Sequence, residues 1–354
     1  MDTFTRREML AYLGLGAASI ALAEAGLMAS ARAATPARPF TWAATGGQWG
    51  EQLDAIFVGK GGFAQKSGVT PTHSFQLETV AVSKIVASNG DPPYDVSNNT
   101  VVDVTMLNNS GLLLPFNTSL MPNLANVYET GRIGNVFAGT NFLLFGLVWN
   151  TKEVPKAPTS FKELLSAGYK GRIGIPAYGW FGLYWLQALN KELGGNEDNV
   201  TPGITAIADM VKKNKAVMVE NAAHASQLME QGEVVMMPLM NGIAARLQDK
   251  NVPVQFGVVP GTLALVTGFV ILKGTPYEEA ANRFINLTLD PELQAAFSAI
   301  TKYPPTNRRA VLPAALDHLK VTEADLQKTA RLDWSKVVAH KADYLKRWNE
   351  EVLA

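Results

Sequence analysis

Cysteine is absent from this 354-residue chain. Its absence excludes disulfides, iron–sulfur clusters and zinc sites built on thiolates. It also excludes a lipid anchor on an N-terminal cysteine, though it assigns no compartment by itself. Histidine is scarce. His73, His224, His318 and His340 are far apart and none has metal-ligand spacing, so they read as surface or structural side chains. Net charge is missing too: 31 basic and 31 acidic side chains cancel, whereas a nucleic-acid surface needs a basic footprint. After the N-terminal segment no apolar run reaches the roughly 20 residues that cross a bilayer. The most apolar run, "VVPGTLALVTGFVIL" from Val258 to Leu272, is interrupted by Pro260-Gly261 and by Gly268. It reads as two short buried strands around a turn.

Catalytic signatures are missing as well. The sequence contains no G-x-S-x-G and no H-E-x-x-H, and "GKGGFAQKSG" has the glycines of a phosphate loop without the spacing. Glu278-Glu279 and Glu350-Glu351 read as solvated helix faces. No cofactor, metal or catalytic group is expected, although one assembled from distant residues stays open at this point.

What is present is apolar mass and order. At 47% hydrophobic residues the chain can bury a large core, and chains of this length divide into domains of about 100–200 residues. Arg6-Arg7 precede the apolar stretch "LAYLGLGAASIALA", and small residues at Ala31 and Ala33 offer a cut before Ala34. Residues 1–33 therefore read as a secretory signal of twin-arginine type, with Met9 and Ala11 where an aromatic and a lysine are usual. An amphipathic N-terminal helix is the alternative. Export this way implies a protein that folds before crossing into a periplasm.

From Phe40 onward, strand-like and helix-like segments alternate. "FTWAAT", "VTPTHSFQL", "YDVSNNT" and "NFLLFGLVWNT" read as strands, interleaved with helices such as "ETVAVSKIVASNG" and "VVDVTMLNNSG". After Trp149 a second set follows, from "GRIGIPA" through "EVVMMPLM", and the tail is helical. "APTSFKELL" reads as a helix start with Thr159 or Ser160 as cap and Glu163 behind it. The alternation predicts an α/β protein with a mostly parallel sheet. Its order suggests two lobes: residues 34–148 with about 264–305, and 149–263 with about 306–354. Two such lobes leave a cleft faced by strand C-termini and helix N-termini, where open α/β sheets bind ligands.

Several stretches, in order, resemble the extracellular solute-binding proteins of bacterial ABC importers, the family that includes spermidine/putrescine and ferric-ion binders. They are "GGQWGEQLDAIF", "GGFAQKSGVTP", "PPYDVSNNT", "GLLLPFNTS", "FGLVWNTKEVPKAPTSFKELLSAGYKGRIGIP", "QGEVVMMPLMNG", "EEAANRFINLTLDPELQAAF" and "YPPTNRRA". The resemblance covers nearly the whole chain after the signal. It implies a type II periplasmic-binding-protein fold: two lobes close on a small solute at the hinge, and the closed complex docks on membrane permease subunits. It implies a monomer without catalysis. An enzyme or sensor input domain on the same scaffold is the rival reading.

The polyamine members clamp ammonium groups with carboxylates and aromatic rings. Here Met240 and Leu265 stand for two of the aromatics, Val101 for a third and Thr267 for an aspartate, while "AYGWFG" replaces acids after "GIP". Unpaired buried ammonium groups would cost several kcal/mol each. The paired tyrosines of the iron binders are also missing, with Tyr303 alone near their place. The positions that the resemblance carries over hold Gly47, Gln48 and Trp49; Asn99 and Thr100; Tyr178, Trp180 and Phe181; Glu220 and Asn221; Asn241; and Thr267. Amides, hydroxyls and aromatics near helix starts suit a small anionic or zwitterionic organic solute, with Glu220 available for an amine. A polyamine is the alternative solute. Asn221 also reads as an N-cap, Trp149 as hinge packing, and Tyr184 and Trp185 as core.

Overall fold

The computed structural model describes residues 38–88 and 90–354. The expected signal, residues 1–33, lies outside the described residues. The first lobe opens with β1 (Thr41–Ala44) and α1 (Gln48–Leu53), the latter prolonged by a wider π-helical stretch to Lys60. It continues through α2 (Phe63–Ser67), β2 (Thr72–Phe75), α3 (Glu78–Ala87), β3 (Val96–Thr100) and α4 (Val101–Asn109). β1 lies between β2 and β3 and parallel to both. Its alternating side chains enter two cores: Trp42 and Ala44 join Phe57, Phe284 and Phe297, while Ala43 joins Ala81, Val82 and Ile85 of α3.

The short strands β4 (Leu113–Leu114) and β5 (Arg132–Ile133) precede β6 (Phe137–Asn150), every residue of which is buried. The second lobe holds β7 (Gly174–Pro176), α5 (Leu183–Glu192), α6 (Thr201–Lys212), β8 (Val217–Val219), α7 (Ala222–Glu230), β9 (Met236–Met240) and α8 (Asn241–Asp249). β10 (Val254–Gly257) and β11 (Leu263–Leu272) lead back to the first lobe, where α9 (Glu278–Thr288) and α10 (Pro291–Thr301) follow. The chain closes with α11 (Glu323–Gln327) and α12 (Trp334–Arg347).

The main sheet runs β10-β6-β11-β3-β1-β2, with β4, β5 and β9 attached beside this path and β7-β8 forming a separate pair. The expectation of a mostly parallel sheet is corrected here. β1 with its neighbours and β7 with β8 are parallel, but β6 and β11 are antiparallel to each other and to every strand they meet. The cause is that both pass between the lobes in opposite directions, without a helical crossover to make them parallel.

Val258–Leu272 is not two strands. It is a turn, with Gly261 at φ +87, followed by the single strand β11. Gly268 does not break that strand. A Cβ there would stand 2.1 Å from the Ala138 carbonyl oxygen, so glycine permits the close approach of β6, and the register shifts at this point. "APTSFKELL" forms only a 3₁₀ turn, Phe161–Leu165. Ser160 caps it, and the Glu163 carboxylate accepts the Thr159 N–H at 2.6 Å.

Candidate functional site

The site is built where strands end and helices begin. Gly47, at φ +69, turns the chain from β1 into α1; Gly47 and Gln48 are exposed and Trp49 is half-buried. The Trp49 ring meets Phe297 and Tyr303 edge-on, at 5.3 and 6.2 Å. Its indole N–H donates to Asn98 Oδ1 at 3.1 Å, and Asn98 Nδ2 donates to the Gly268 carbonyl at 3.1 Å. Beside it on β3, Asn99 is 1% exposed, and neither its amide nitrogen nor its carbonyl oxygen has a partner.

The interlobe strands form the middle of the site. Thr100 and Thr267 are register partners, as are Asn99 and Gly268. Thr267 donates to Asn141 Oδ1 at 3.0 Å and Thr140 to the same oxygen at 2.8 Å, which leaves Asn141 Nδ2 buried and unpartnered. In either orientation of that amide one end stays unpaired, a costly arrangement in a buried site. Asn241 Oδ1 accepts the Leu144 N–H at 3.1 Å, tying the start of α8 to β6, and Gly242 lies directly against the Tyr303 ring.

On the second-lobe side, Phe181 stacks on Phe145 of β6 at 5.9 Å and contacts Trp180 and Tyr184 at 5.6 and 5.3 Å. Tyr178 turns elsewhere. Its hydroxyl donates to the Lys341 carbonyl at 3.0 Å, its ring lies on Trp348, and burial pushes its pKa up. Asn221 caps α7, accepting the His224 N–H at 3.0 Å, and the Glu220 N–H meets His224 Nδ1 at 3.4 Å. Both residues are exposed. The structure thus gathers Trp49, Asn99, Thr100, Phe181, Asn241 and Thr267 around β6 and β11, with Trp180 on Phe181. The hydrogen bonds described for Tyr178, Glu220 and Asn221 run to Lys341 and His224 and not to that group.

Two acids near the site, Glu78 and Asp103, are not among the residues selected from sequence. Glu78, at the start of α3, accepts the Thr100 N–H at 2.6 Å; desolvation first, then the charge of nearby Asp103, holds its pKa well above its usual value. Tyr184, expected in the core, is 8% exposed and belongs to it, its ring meeting Phe181 at 5.3 Å and Trp334 at 5.9 Å. The signal for the two acids was their position in the first turn of helices that follow strands. A cavity of about 300 Å³ lies nearby, lined by Val101, Arg132, Leu263, Val266, Arg331 and Trp334 among others, and by none of the residues selected from sequence.

A mixed sheet in two lobes, joined by two long strands with polar groups and aromatics at their junction, defines the type II periplasmic-binding-protein class. The sequence matches the bacterial extracellular solute-binding protein family over residues 62–324. The chain belongs to that family. The Gamma-aminobutyric acid-binding protein of Pseudomonas aeruginosa is 30% identical over 133 residues, a match spanning 37% of this chain and only 38% of that relative. A solved GABA receptor superposes with a TM-score of 0.75 at 18% identity, over 88% of this chain and 96% of that one. The spermidine/putrescine transporter substrate-binding protein of Streptococcus pneumoniae gives 0.69 at 18% identity, over 88% and 98%. At these identities the two structures establish the fold. Among the described residues no helix is long and apolar enough to cross a membrane, and no group of acids and histidines could hold a metal ion.

Proposed function

We propose that the protein is the substrate-binding component of an ABC importer. In this reading it works in the periplasm, catalyses no reaction, acts as a monomer without nucleic acid, and delivers its solute to permease subunits. The lobes divide near residues 148 and 263, with the residues after about 305 returning to the second lobe.

The proposed solute is a small molecule carrying both a carboxylate and an amine. The observation that carries this reading is the pair of unpartnered amides, Asn99 and Asn141, at the lobe junction. Native interiors pair nearly all buried polar groups, so these amides fit a solute that donates and accepts hydrogen bonds. Asn141 presents free N–H donors beside Thr267, near the start of α8, which suits a carboxylate. The relative named for gamma-aminobutyric acid supports the same chemistry. The clamp expected for a polyamine is weakened by Thr267 and Met240, which offer neither an acid nor a ring. Asn221 and Glu220 remain as rim contacts of the closing second lobe.

A thermal-shift screen over amino acids, ω-amino acids, organic acids and polyamines tests this. A true solute at 100 times its Kd stabilises the fold by about 2.7 kcal/mol. Stabilisation by ω-amino acids is the expected result. Stabilisation by polyamines alone overturns the proposed solute, and turnover of a stabilising compound overturns the non-catalytic role.

A further inference from the structure

Both lobes line one cavity, and two arginines from distant parts of the chain open onto it. The cavity, of about 300 Å³, is lined by Arg132 and Ile133 of β5, by Ala264 and Val266 of β11, and by Arg331 and Trp334. β5 belongs to the first lobe, where it pairs with the start of β6 at Phe137 and Ala138. The segment with Arg331 and Trp334 is fastened to the second lobe. The Asp333 N–H donates to the Glu197 carboxylate at 3.0 Å, Lys336 pairs with Asp198, and the Trp334 ring meets Tyr184 at 5.9 Å. The Tyr128 hydroxyl donates to the Val321 carbonyl at 3.4 Å, so this tail is bonded to the first lobe as well.

The two arginines are unusual in this molecule. Arg38, Arg172, Arg283 and Arg347 each hold a carboxylate. Among the described residues no ion pair joins Arg132 or Arg331 to an acid, and the Arg132 guanidinium reaches the Gly134 carbonyl only at 3.5 Å. Arg132 is half-buried and Arg331 exposed. A guanidinium cannot give up its charge, and its fork matches a planar carboxylate through two parallel hydrogen bonds. Phe137, Val266, Leu332 and Trp334 supply apolar wall beside them. Glu129 and Glu323 line the same cavity, so two acids offset the two bases there. A polyanion gains little net attraction from such a lining. A single carboxylate on an apolar body uses both the fork and the wall.

We infer that this cavity is a second binding site, for a small monocarboxylate with an apolar body, held by Arg132 and Arg331. The site goes beyond the solute proposed above and does not depend on it: none of the residues named for that solute lines the cavity. Alternation along β11 puts Val266 and Thr267 on opposite faces, and Thr267 turns to Asn141, so the cavity lies across the strand from that pair. Because its lining comes from both lobes, an occupant favours the arrangement that holds them together.

Isothermal titration calorimetry of the purified protein tests the assignment. The probes are hexanoate and phenylacetate, their uncharged amides hexanamide and phenylacetamide, and 6-aminohexanoate. Wild type should bind at least one of the two carboxylates, and at least about tenfold more tightly than the matching amide. Arg331→Gln and Arg132→Gln should each weaken that binding by at least about tenfold, while Thr267→Ala should leave it unchanged. Absence of binding by both carboxylates overturns the site, and so does equal binding of the amides; both results are read in wild type and need no variant to fold. Full affinity in either arginine variant, with cooperative unfolding intact, overturns it as well. Binding lost in Thr267→Ala and kept in Arg331→Gln places the carboxylate at the Thr267–Asn141 pair and overturns the second site. Binding of 6-aminohexanoate at least about tenfold tighter than hexanoate overturns the monocarboxylate class.

Discussion

Asp95 shows how tightly a single residue can hold the first lobe. It is fully buried and accepts from Arg38 at 2.7 and 2.9 Å, from the Thr41 N–H at 2.7 Å and from Thr275 Oγ1 at 2.5 Å. Replacing Arg38 with Met leaves that charge uncompensated. The expected cost is about 3 kcal/mol, read by urea unfolding. Glu78 has the opposite effect on stability. Its folded pKa is raised above the unfolded value of roughly 4.3, so the folded state holds its proton longer. Stability therefore falls as pH rises from about 4.3 toward the folded pKa, and is level below that window. Glu78→Gln should flatten that part of the stability profile against pH; an unchanged slope would contradict the assignment. At this scale the sequence offered Trp49, Asn99, Thr100, Asn241 and Thr267 through the family resemblance, and the structure places them around β6 and β11. It did not show Tyr178 turning to Lys341, since the partner lies at the far end of the chain.

β6 and β11 are the elements that make one molecule of two lobes. The apolar run of β6 read correctly as a buried strand, that of β11 read as two strands where there is one, and the antiparallel pairing of both was hidden. A buried strand has the same composition in either direction, and direction follows from which lobe the chain leaves. The glycines at their contact carry the close packing: a Cβ on Gly139 would stand 2.1 Å from Val266 Cγ1, and one on Gly268 equally near the Ala138 oxygen. Gly268→Ala should cost about 2–3 kcal/mol in urea unfolding, because backbone cannot yield as a side chain does. It should also weaken solute binding, as the Thr267–Asn141 pair is at the same register shift. Trp49→Ala removes the rings' contact and the Asn98 bond; a loss of about 2–3 kcal/mol is expected by the same measurement.

For the whole molecule, α4 packs against α12, whose Trp334 meets the Tyr184 ring edge-on at 5.9 Å, so the described conformation has its lobes together at this edge. Tyr184→Ala should shift the unliganded protein toward a more open form, seen as a larger radius of gyration in solution scattering, and saturating solute should reverse the shift. An unchanged radius in both states would argue against closure at this contact. The sequence alone determined that the chain is α/β, lacks thiol chemistry, and belongs with solute binders, because composition, periodicity and motif order are local properties written along the chain. Only the tertiary structure decided the mixed sheet, the bond of Tyr178 to Lys341, and the meeting of Glu78 with Thr100. Those depend on contacts between residues far apart in sequence, and nothing local encodes which buried polar groups will find each other across a lobe boundary.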